Sequence, residues 1–447
     1  MRRTAAAAIF ACLMLSTSAL ASGYGLRDAS ASTLGVSYAG NAANGSSPTT
    51  MAFNPALVND VGSFDFAVSS TGLIPQTSGT FSATTAVGTP VSGPTHPVDI
   101  VNTALIPSIA VRYRLSPTLA VGLQVSAPWG MITDYDSSVT RYYATMSDVK
   151  SANTMLMVGW QPVPELSIGA GVQVQYIKGR LAKAIDVGTI SYGLYANHTL
   201  PVLIPGTVPG GNDGYVELRA QDWSTGWVVG AEWKPRPDLS FGVSYRSAIY
   251  NTLKGNEYFT LDTVGQTLRA YTGLFVDSQA SSTFNNPAIV TFGARWAVDD
   301  QWTVMAGADW TGWSIFKNLN AHSSNAHQSD DVTLMNYKDS WFGSLGVQYK
   351  PTEDWKLSLG TAFDDTPTST QYRTPGIPDG GRYWISAGVG YKICANMDLD
   401  LSVARLIAEK ANIGLSVSEP SNAQRGNLTG TVNMRVTLVG LEVNYHL

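Results

Sequence analysis

Long runs in which apolar residues alternate with small polar ones restrict the possible folds of this chain most strongly. From Leu166 to Tyr176 every second residue is apolar or aromatic, and the residues between them are Ser, Gly and Gln. Such alternation predicts half-buried β-strands. In a soluble sandwich the outward face would be rich in charge, and strands would average about 5–6 residues. Runs of about ten residues with a Gly, Ser and Gln face therefore favour a transmembrane β-barrel.

The charge content and the N-terminal sequence further restrict the class of protein to which this chain can belong. Charged residues make up 14% of the 447 residues and the formal net charge is −5, so no basic field exists to attract nucleic acid. Arg2 and Arg3, the apolar stretch 5–15 and the sequence Ala-Leu-Ala at 19–21 predict a cleaved signal peptide over residues 1–21. Beyond it no apolar stretch of about 18 residues occurs. Two alternatives are therefore compatible with the sequence, an exported soluble protein or a transmembrane barrel.

Aromatic residues are spaced as the two girdles of a barrel would require. Six aromatic residues each precede a predicted short turn, as Trp233 and Tyr349 do. Eight residues of tilted strand span roughly 20 Å, close to the ~25 Å apolar band of outer-membrane barrels. Four pairs have this spacing: Trp302 and Trp310, Trp341 and Tyr349, Trp355 and Phe363, and Tyr383 and Tyr391.

The short turns divide the chain into an even number of strands. We predict an all-β fold, a transmembrane antiparallel barrel of about 14 strands over residues 62–447, with short periplasmic turns and long extracellular loops. The strands are placed near 62–73, 105–115, 118–130, 151–162, 165–180, 219–234, 238–250, 285–298, 301–313, 340–350, 354–364, 382–393, 397–408 and 430–447. The last is an amphipathic strand of the kind that barrel assembly machinery recognises, although Leu447 replaces the usual terminal aromatic residue.

Residues 22–61 do not alternate. They are rich in Ala, Ser, Gly and Asn, with helical character near 34–43. Because the segment precedes the first strand, it begins on the periplasmic side. It is either a tail or a small hatch (plug) inside the lumen.

This segment resembles the N-terminal hatch of the FadL/TodX-like outer-membrane transporters of long-chain fatty acids and aromatic hydrocarbons. The resemblance rests on three stretches, 22–26 (SGYGL), 35–40 (GVSYAG) and 54–57 (NPAL), and on APWGM at 127–131. It implies a monomeric barrel with a hatch in the lumen, ligand capture at extracellular loops and sideways release into the membrane. A TonB-dependent receptor would need a much larger plug.

Two predicted extracellular loops, near 181–218 and 251–284, are unusually apolar. Leu268, Tyr271 and Phe275 share one face of a predicted short helix with Leu274. The candidate capture residues are Leu194, Tyr195, Leu200, Leu203, Leu268, Tyr271 and Phe275. The alternative is that these loops pack on each other merely to cap the barrel.

Inside the barrel a ligand carboxylate would need a cation. Arg246 and Arg295 lie on predicted lumen faces, although we favour their pairing with lumen acids such as Asp309 or Glu232. The resemblance, and not spacing, places Tyr24 and Leu26 at the internal site. The hatch anchor is expected at Asn54, Pro55 and Ala56.

A lateral gate is predicted at Ser126, Ala127, Pro128, Trp129 and Gly130. Proline donates no backbone hydrogen bond, so within a sheet it marks an edge or a bulge, and glycine permits a bulge's conformation. The alternative is that the proline merely ends the strand at the extracellular rim.

The sequence thus predicts an outer-membrane channel for diffusion-driven uptake of hydrophobic molecules, such as long-chain fatty acids or related hydrocarbons. The alternative is a general or selective porin for small polar solutes. No hydrolase elbow, zinc-protease or P-loop motif occurs, so we expect no enzyme activity, cofactor or metal. The expected partners are a hydrophobic ligand, outer-membrane lipids and the assembly machinery, with no nucleic acid; the protein is expected to be a monomer.

Overall fold

The computed structural model describes residues 23–447; the predicted signal peptide lies outside them. Twenty strands form one antiparallel sheet, and β1 (Phe64–Thr84) pairs with β20 (Asn427–His446), so the sheet closes on itself. The remaining strands are β2 (Ala104–Ser116), β3 (Leu119–Ser126), β4 (Gly130–Asp134), β5 (Met146–Val163), β6 (Leu166–Asp186), β7 (Asp213–Arg236), β8 (Leu239–Arg246), β9 (Thr252–Thr260), β10 (Ser278–Thr283), β11 (Ile289–Ala297), β12 (Trp302–Thr311), β13 (Asn318–Ser323), β14 (Asp331–Leu334), β15 (Ser340–Tyr349), β16 (Trp355–Asp364), β17 (Arg382–Cys394), β18 (Met397–Ala408) and β19 (Ala411–Leu415).

Six pairs of consecutive strands are the two halves of one interrupted wall strand. They are β3 with β4, β8 with β9, β10 with β11, β12 with β13, β14 with β15, and β18 with β19. Counted in this way the barrel has 14 wall strands, as the sequence predicted. The interruptions lie toward the end opposite the short turns.

The predicted aromatic pairs form two rows on the outer wall. In the register of β12 with β15, Trp302 lies opposite Tyr349, and Trp310 lies opposite Trp341. The ring centroids of Trp302 and Tyr349 are 4.5 Å apart. The next hairpin repeats this pattern with Trp355 opposite Tyr391 and Phe363 opposite Tyr383. These rows bound the lipid-facing band of the wall.

The strands extend further outward than the alternation predicted, and the loops are correspondingly shorter. β6 continues to Asp186 and β7 begins at Asp213, so the two ends of the predicted 181–218 loop are strand. That loop holds helix α2 (Val187–Ala196), and the next holds α3 (Thr263–Thr272). No helix among residues 23–447 is long and apolar enough to span a membrane.

The N-terminal segment, residues 23–61, is almost entirely buried against the inner faces of the strands. It contains helix α1 (Ala31–Leu34) and three 3₁₀ turns, Asn41–Ala43, Pro48–Ala52 and Pro55–Asp60. Wall glycines let it approach closely. A Cβ on Gly242 would lie 1.7 Å from the carbonyl oxygen of Ala42, and one on Gly169 would lie 2.2 Å from Pro55.

Polar contacts hold this segment to the wall at several levels. The Glu442 carboxylate accepts hydrogen bonds from Ser32 N at 3.1 Å and Ser47 Oγ at 2.5 Å. Near the periplasmic end Arg112 donates to the carbonyls of Leu57 at 3.0 Å and Gly45 at 2.8 Å. Each contact satisfies a buried polar group that would otherwise be costly.

Asn54 is completely buried and makes three hydrogen bonds. Its Oδ1 accepts from the Ala56 amide at 3.0 Å, which caps the 3₁₀ turn that begins at Pro55. Its Nδ2 donates to the carbonyls of Ala42 at 2.7 Å and of Ala231 in β7 at 3.0 Å. The Asn-Pro-Ala sequence thus joins two parts of the N-terminal segment to one wall strand.

Candidate functional site

The barrel wall has a gap beside β3 and β4. β2 pairs with β3 along 109–116, whereas its outer part, 104–108, pairs with β1 alone among the described strands. The chain leaves the sheet at 127–129 and resumes as β4, which pairs with β5. Above the gap a single bridge joins Val101 to Thr133. The wall therefore lacks ladder hydrogen bonds between 104–108 and the Pro128 region.

Residues Tyr24–Leu26 of the N-terminal segment lie in this gap and pair with the break as a short strand would. Gly25 bridges to Trp129, the Leu26 amide donates to the Pro128 carbonyl at 2.8 Å, and the Gly130 amide donates to the Tyr24 carbonyl at 2.9 Å. Every backbone group in a membrane-embedded wall needs a partner. Tyr24–Leu26 supplies partners for the broken strand, so its position determines whether the gap is filled.

On the other side, β5 contacts the break partly through a side chain. The Trp129 amide donates to Ser151 Oγ at 3.0 Å, and the Ser151 amide donates to the Trp129 carbonyl at 3.1 Å. The break thus lies between β5 and the N-terminal segment, with no ladder to β2.

A small cavity of about 70 Å³ lies directly inside the break. Its walls come from the N-terminal segment, the break and the opposite strands. They include Leu26, Phe53, Ser126, Pro128, Trp129, Arg246, Ile289 and Trp313. Most of this lining is apolar, so a hydrophobic molecule at the gap would meet suitable walls.

Tyr24 is completely buried and lies in a cluster of aromatic rings above this cavity. Its ring centroid is 4.5 Å from that of Phe284, 4.8 Å from Trp313 and 5.5 Å from Phe316. Trp129 lies 5.9 Å away. The Tyr24 hydroxyl donates to the carbonyl of Asn285 at 2.7 Å.

These aromatic residues occupy the interruptions of the wall strands. Phe284 follows β10, while Trp313 and Phe316 lie between β12 and β13. Tyr337, between β14 and β15, packs on both Trp313 and Phe316. Large rings from these interruptions therefore pack together around Tyr24 inside the barrel.

A larger cavity of about 680 Å³ lies on the extracellular side of the rings. Phe284 lines this cavity, whereas Trp129 and Trp313 line the smaller one. The Tyr24 cluster therefore separates the two spaces. The apolar lining of the large cavity includes Met131, Ile190, Leu218, Phe259, Leu274, Phe275 and Leu319.

One ion cluster lies in the wall of the large cavity. Asp331 pairs with both Lys183 and Arg425, and the Arg425 Nη1 donates to Thr333 at 2.8 Å. Burial raises the pKa of Asp331, but Lys183 and Arg425 outweigh burial and hold this pKa well below its usual value. The carboxylate therefore remains ionised and binds β6, β14 and the 416–426 loop together.

The predicted capture residues divide into two groups. Leu200, Leu268 and Phe275 are buried in a cluster formed by the α2 and α3 loops, with Leu194 packed against it. Tyr195, Leu203 and Tyr271 are exposed on the outside of the loops. Phe275 also faces the large cavity.

The helix predicted through Phe275 ends earlier. Gly273 has φ +72° and stops α3 after Thr272, because its left-handed backbone conformation favours glycine. Leu274 and Phe275 therefore reach the cluster from a loop rather than from a helix face.

The expected pairing of the lumen arginines with acids is wrong for Arg246, whereas Arg295 interacts electrostatically with Glu232 and Asp60 without a close ion pair. Arg246 donates to the carbonyl of Ala52 at 2.7 Å, so it holds the N-terminal segment. Glu232 pairs with Lys234 at 3.0 Å. Arg295 forms none of the ion pairs found among residues 23–447. A single arginine in a β-pattern does not indicate which inner group it will meet.

Arg27 is a site residue that the sequence analysis missed. Its guanidinium pairs with Asp309 and lies 3.4 Å from Asp364, and it stacks 4.1 Å from the ring centroid of Phe342. It also lines the small cavity. In the sequence, the signal for this site was a basic residue directly after Leu26. The structure shows that this residue faces two lumen aspartates.

Comparison with known proteins agrees with this geometry. Residues 12–447 match the family described as "Outer membrane protein transport protein (OMPP1/FadL/TodX)". The long-chain fatty acid transport protein of Escherichia coli K12 is 25% identical over 427 residues, covering 92% of this chain and 93% of the relative. Outer membrane protein P1 of Haemophilus influenzae is 22% identical over 459 residues, covering 97% of each.

Two solved structures share the fold. A Pseudomonas aeruginosa FadL homologue has a TM-score of 0.84 at 24% identity, covering 95% of this chain and 99% of that one. The toluene transporter TodX of Pseudomonas putida has a TM-score of 0.67 at 14% identity, with 95% and 99% covered. The chain therefore belongs to the OMPP1/FadL/TodX family and is a transport protein of the outer membrane.

Proposed function

We propose that this protein carries hydrophobic molecules, either long-chain fatty acids or hydrocarbons, across the outer leaflet and releases them sideways into the membrane. The observation that carries the proposal is the gap between β2 and the Pro128 region, directly beside an apolar cavity. The relatives named for long-chain fatty acid transport and toluene transport support the ligand class.

Sideways release follows from the energetics of the cargo. Each buried CH₂ group contributes about 0.8 kcal/mol, so sixteen carbons favour a membrane over aqueous periplasm by roughly 13 kcal/mol. A route through the lumen into water would oppose that difference. An opening in the wall leads instead from one apolar environment to another.

The proposed path has four parts in order from outside. Exposed loop residues Tyr195, Leu203 and Tyr271 make the first contact. The large cavity then receives the apolar chain, and movement of the Tyr24 ring joins it to the small cavity. The molecule leaves between β2 and the segment from Ser126 to Gly130.

We assign residues 23–61 the role of a hatch. The segment is almost entirely buried, and its hydrogen bonds to Glu442, Arg112 and Arg246 span the barrel interior. Such a filled lumen supports selective transport rather than the open water-filled channel of a general porin.

Two measurements on purified protein test the proposal. A series of fatty acids and alkylbenzenes, titrated onto the protein, should show saturable binding that strengthens with apolar area. Liposomes that contain the protein should swell no faster in sugars than empty ones. Rapid swelling without hydrophobe binding would favour the porin alternative, and the better-bound series identifies the substrate class.

A further inference from the structure

Basic side chains form two rows on the outer wall, directly beyond the aromatic pair Tyr176 and Trp223. In the strand register Lys150, Lys178, Gln221 and Lys254 lie side by side across β5, β6, β7 and β9. The next row outward is Asp148, Arg180, Arg219 and Asn256.

These residues point away from the lumen. Tyr176 and Lys178 are two residues apart on β6, so they share a face. The partner of Tyr176, Trp223, is 58% exposed on the lipid-facing side. Inward-facing Gln175 and Ile177 are buried between them. The two rows therefore lie at the surface that meets the membrane.

The rows hold more positive charge than the nearby acids neutralise. Asp148 lies 3.0 Å from Lys150, and Glu217 pairs with both Arg180 and Arg219. Lys178 and Lys254 have no carboxylate within salt-bridge distance among residues 23–447. Five cations thus face Asp148, Glu217 and the more distant Asp134.

Placing like charges opposite each other destabilises a sheet. Arg180 lies directly opposite Arg219, and Lys150 lies directly opposite Lys178. An anion bound at this surface would remove that repulsion. The arrangement therefore indicates an external ligand with more than one negative charge.

A shallow depression of about 360 Å³ lies just beyond the rows, on the same outward surface. Tyr215 and Tyr258 form its apolar walls, and Glu217, Arg219 and Thr260 supply hydrogen-bonding groups. The Arg219 guanidinium lies 5.6 Å from the centre of the Tyr258 ring. Aromatic faces beside hydrogen-bonding side chains suit a sugar ring.

Below the rows the wall is apolar. Val172, Val174 and Trp227 are exposed on this face of β6 and β7. From the membrane outward, the surface therefore offers an acyl-chain wall, then cations, then a polar depression with aromatic sides.

We propose that this surface binds a phosphorylated, acylated glucosamine disaccharide of the outer leaflet, the lipid A part of lipopolysaccharide. Its acyl chains lie on the apolar wall, its phosphates meet the cationic rows and its sugars occupy the depression. A fatty acid has an acyl chain but only one negative charge and no sugar, so it would leave most of the cations without a partner and the depression empty. The site lies on the outer face, whereas the transport path runs inside the barrel as far as the gap. Lys150 lies opposite Gly130 at the edge of that gap, and Lys178 and Lys254 lie farther from it along the wall.

The test compares purified wild type with Lys178→Gln/Lys254→Gln, which removes two cations without leaving an acid unpaired. Binding of diphosphorylated lipid A, measured by native mass spectrometry, should weaken by roughly ten-fold or more, because two of the five cations that meet its phosphates are removed. Lys178→Arg/Lys254→Arg should retain binding. Arg236→Gln, at the exposed periplasmic rim, is the matched control and should bind as wild type does.

The same titration on wild type uses dephosphorylated lipid A, phosphatidylglycerol and laurate. All three should bind much more weakly than diphosphorylated lipid A. Equal binding of the dephosphorylated form, or stronger binding of either other lipid, would overturn the assignment. Undiminished lipid A binding by the folded Gln variant would also overturn it, and heat-dependent gel migration verifies that each barrel is folded.

Discussion

The wall from β15 to β17 and the wall from β2 to β5 have the same local pattern but different continuity. In the first, each residue from Trp355 to Asp364 has a partner on β17, and the outer face carries both aromatic rows. In the second, the ladder ends at the Ile109–Val125 pair and Pro128 interrupts the strand. The comparison shows that a barrel can remain closed elsewhere while, at one site, hydrogen bonds to the N-terminal segment take the place of a strand ladder.

Both sides of the gap carry a proline. Pro128 lies in the break itself, and Pro107 lies in the part of β2 that has no β3 partner. Proline has no N–H to donate, so it costs least at a sheet edge. The two borders of the gap can therefore remain unpaired at little cost. The residues of β16 and β17, in contrast, are paired with each other along their shared register.

Removing the N-terminal segment should produce the largest effect. Deleting residues 24–53 from an inserted barrel empties the lumen and should raise sugar permeability by an order of magnitude or more, toward that of an open porin. The Asn54→Ala single variant, which loses bonds to Ala42 and Ala231, should show a smaller increase. Liposome swelling measures both. Unchanged permeability in the folded deletion variant would disprove the hatch.

Restoring the broken strand should impair release next most strongly. In Pro128→Val/Gly130→Val the strand regains a backbone donor and loses the glycine. Delivery of hydrophobe to the membrane should fall about ten-fold, which corresponds to ~1.4 kcal/mol added to the barrier. Binding should be retained. The control in the continuous wall is Gly343→Val, because a side chain at Gly343 would have open space. Gly360→Ala is unsuitable as a control, because Val36 packs against Gly360.

Substitutions of Tyr24 should have an intermediate effect on the flux of cargo. Tyr24→Ala removes the ring that separates the two cavities, so flux of a small aromatic hydrocarbon should rise several-fold. Tyr24→Phe keeps the ring and loses only the bond to the Asn285 carbonyl, so it should behave nearly as wild type. Stopped-flow uptake into vesicles distinguishes them. Equal flux in the two variants would mean that the ring does not close the path.

The loop residues should have the smallest effect. Tyr195→Asp/Tyr271→Asp changes exposed side chains, so the barrel should fold normally and hydrophobe affinity should fall about two- to five-fold through lost apolar contact. Leu268→Asp differs, because Leu268 is completely buried and the charge would disrupt the α2–α3 cluster. Limited proteolysis of the loops reports this difference. Normal affinity in the tyrosine variant would place capture elsewhere.

The 14 wall strands and the six short turns could be predicted from the sequence, because alternation and aromatic spacing are local signals. The sequence did not predict the interruptions at 247–251, 284–288, 312–317 and 335–339. At three of them the chain places Phe284, Trp313, Phe316 and Tyr337 against Tyr24 or its neighbours, which are remote in sequence. A local pattern carries no information about such contacts.

The candidate site residues also divide into those that local sequence signals identify and those that depend on contacts remote in sequence. Pro128 could be selected because its backbone chemistry is restrictive wherever it occurs, and Asn54 because the Asn-Pro-Ala stretch resembles the hatch of the family. Arg27 and Trp313 could not, since their roles depend on Asp309 and Tyr24 across the lumen. The buried state of Leu268 likewise results from packing between two loops.

If cargo is released sideways, it leaves through the gap that Tyr24–Leu26 now fills. Gly25 and Trp129 form an antiparallel bridge, a geometry in which paired Cα atoms lie about 4.5–5.5 Å apart and a disulfide can form. Gly25→Cys/Trp129→Cys, in a Cys394→Ser background, can therefore fix the segment in the gap. The control pair, Ser344→Cys/Ala362→Cys, joins partners in the continuous wall.

Hydrophobe transport into vesicles should then be measured on the same protein, oxidised and reduced. We expect the oxidised Gly25–Trp129 variant to bind cargo without delivering it, and the reduced form to resume delivery. The control pair should transport equally in both states. Equal delivery by the oxidised and reduced forms of the Gly25–Trp129 variant would contradict lateral release through this gap.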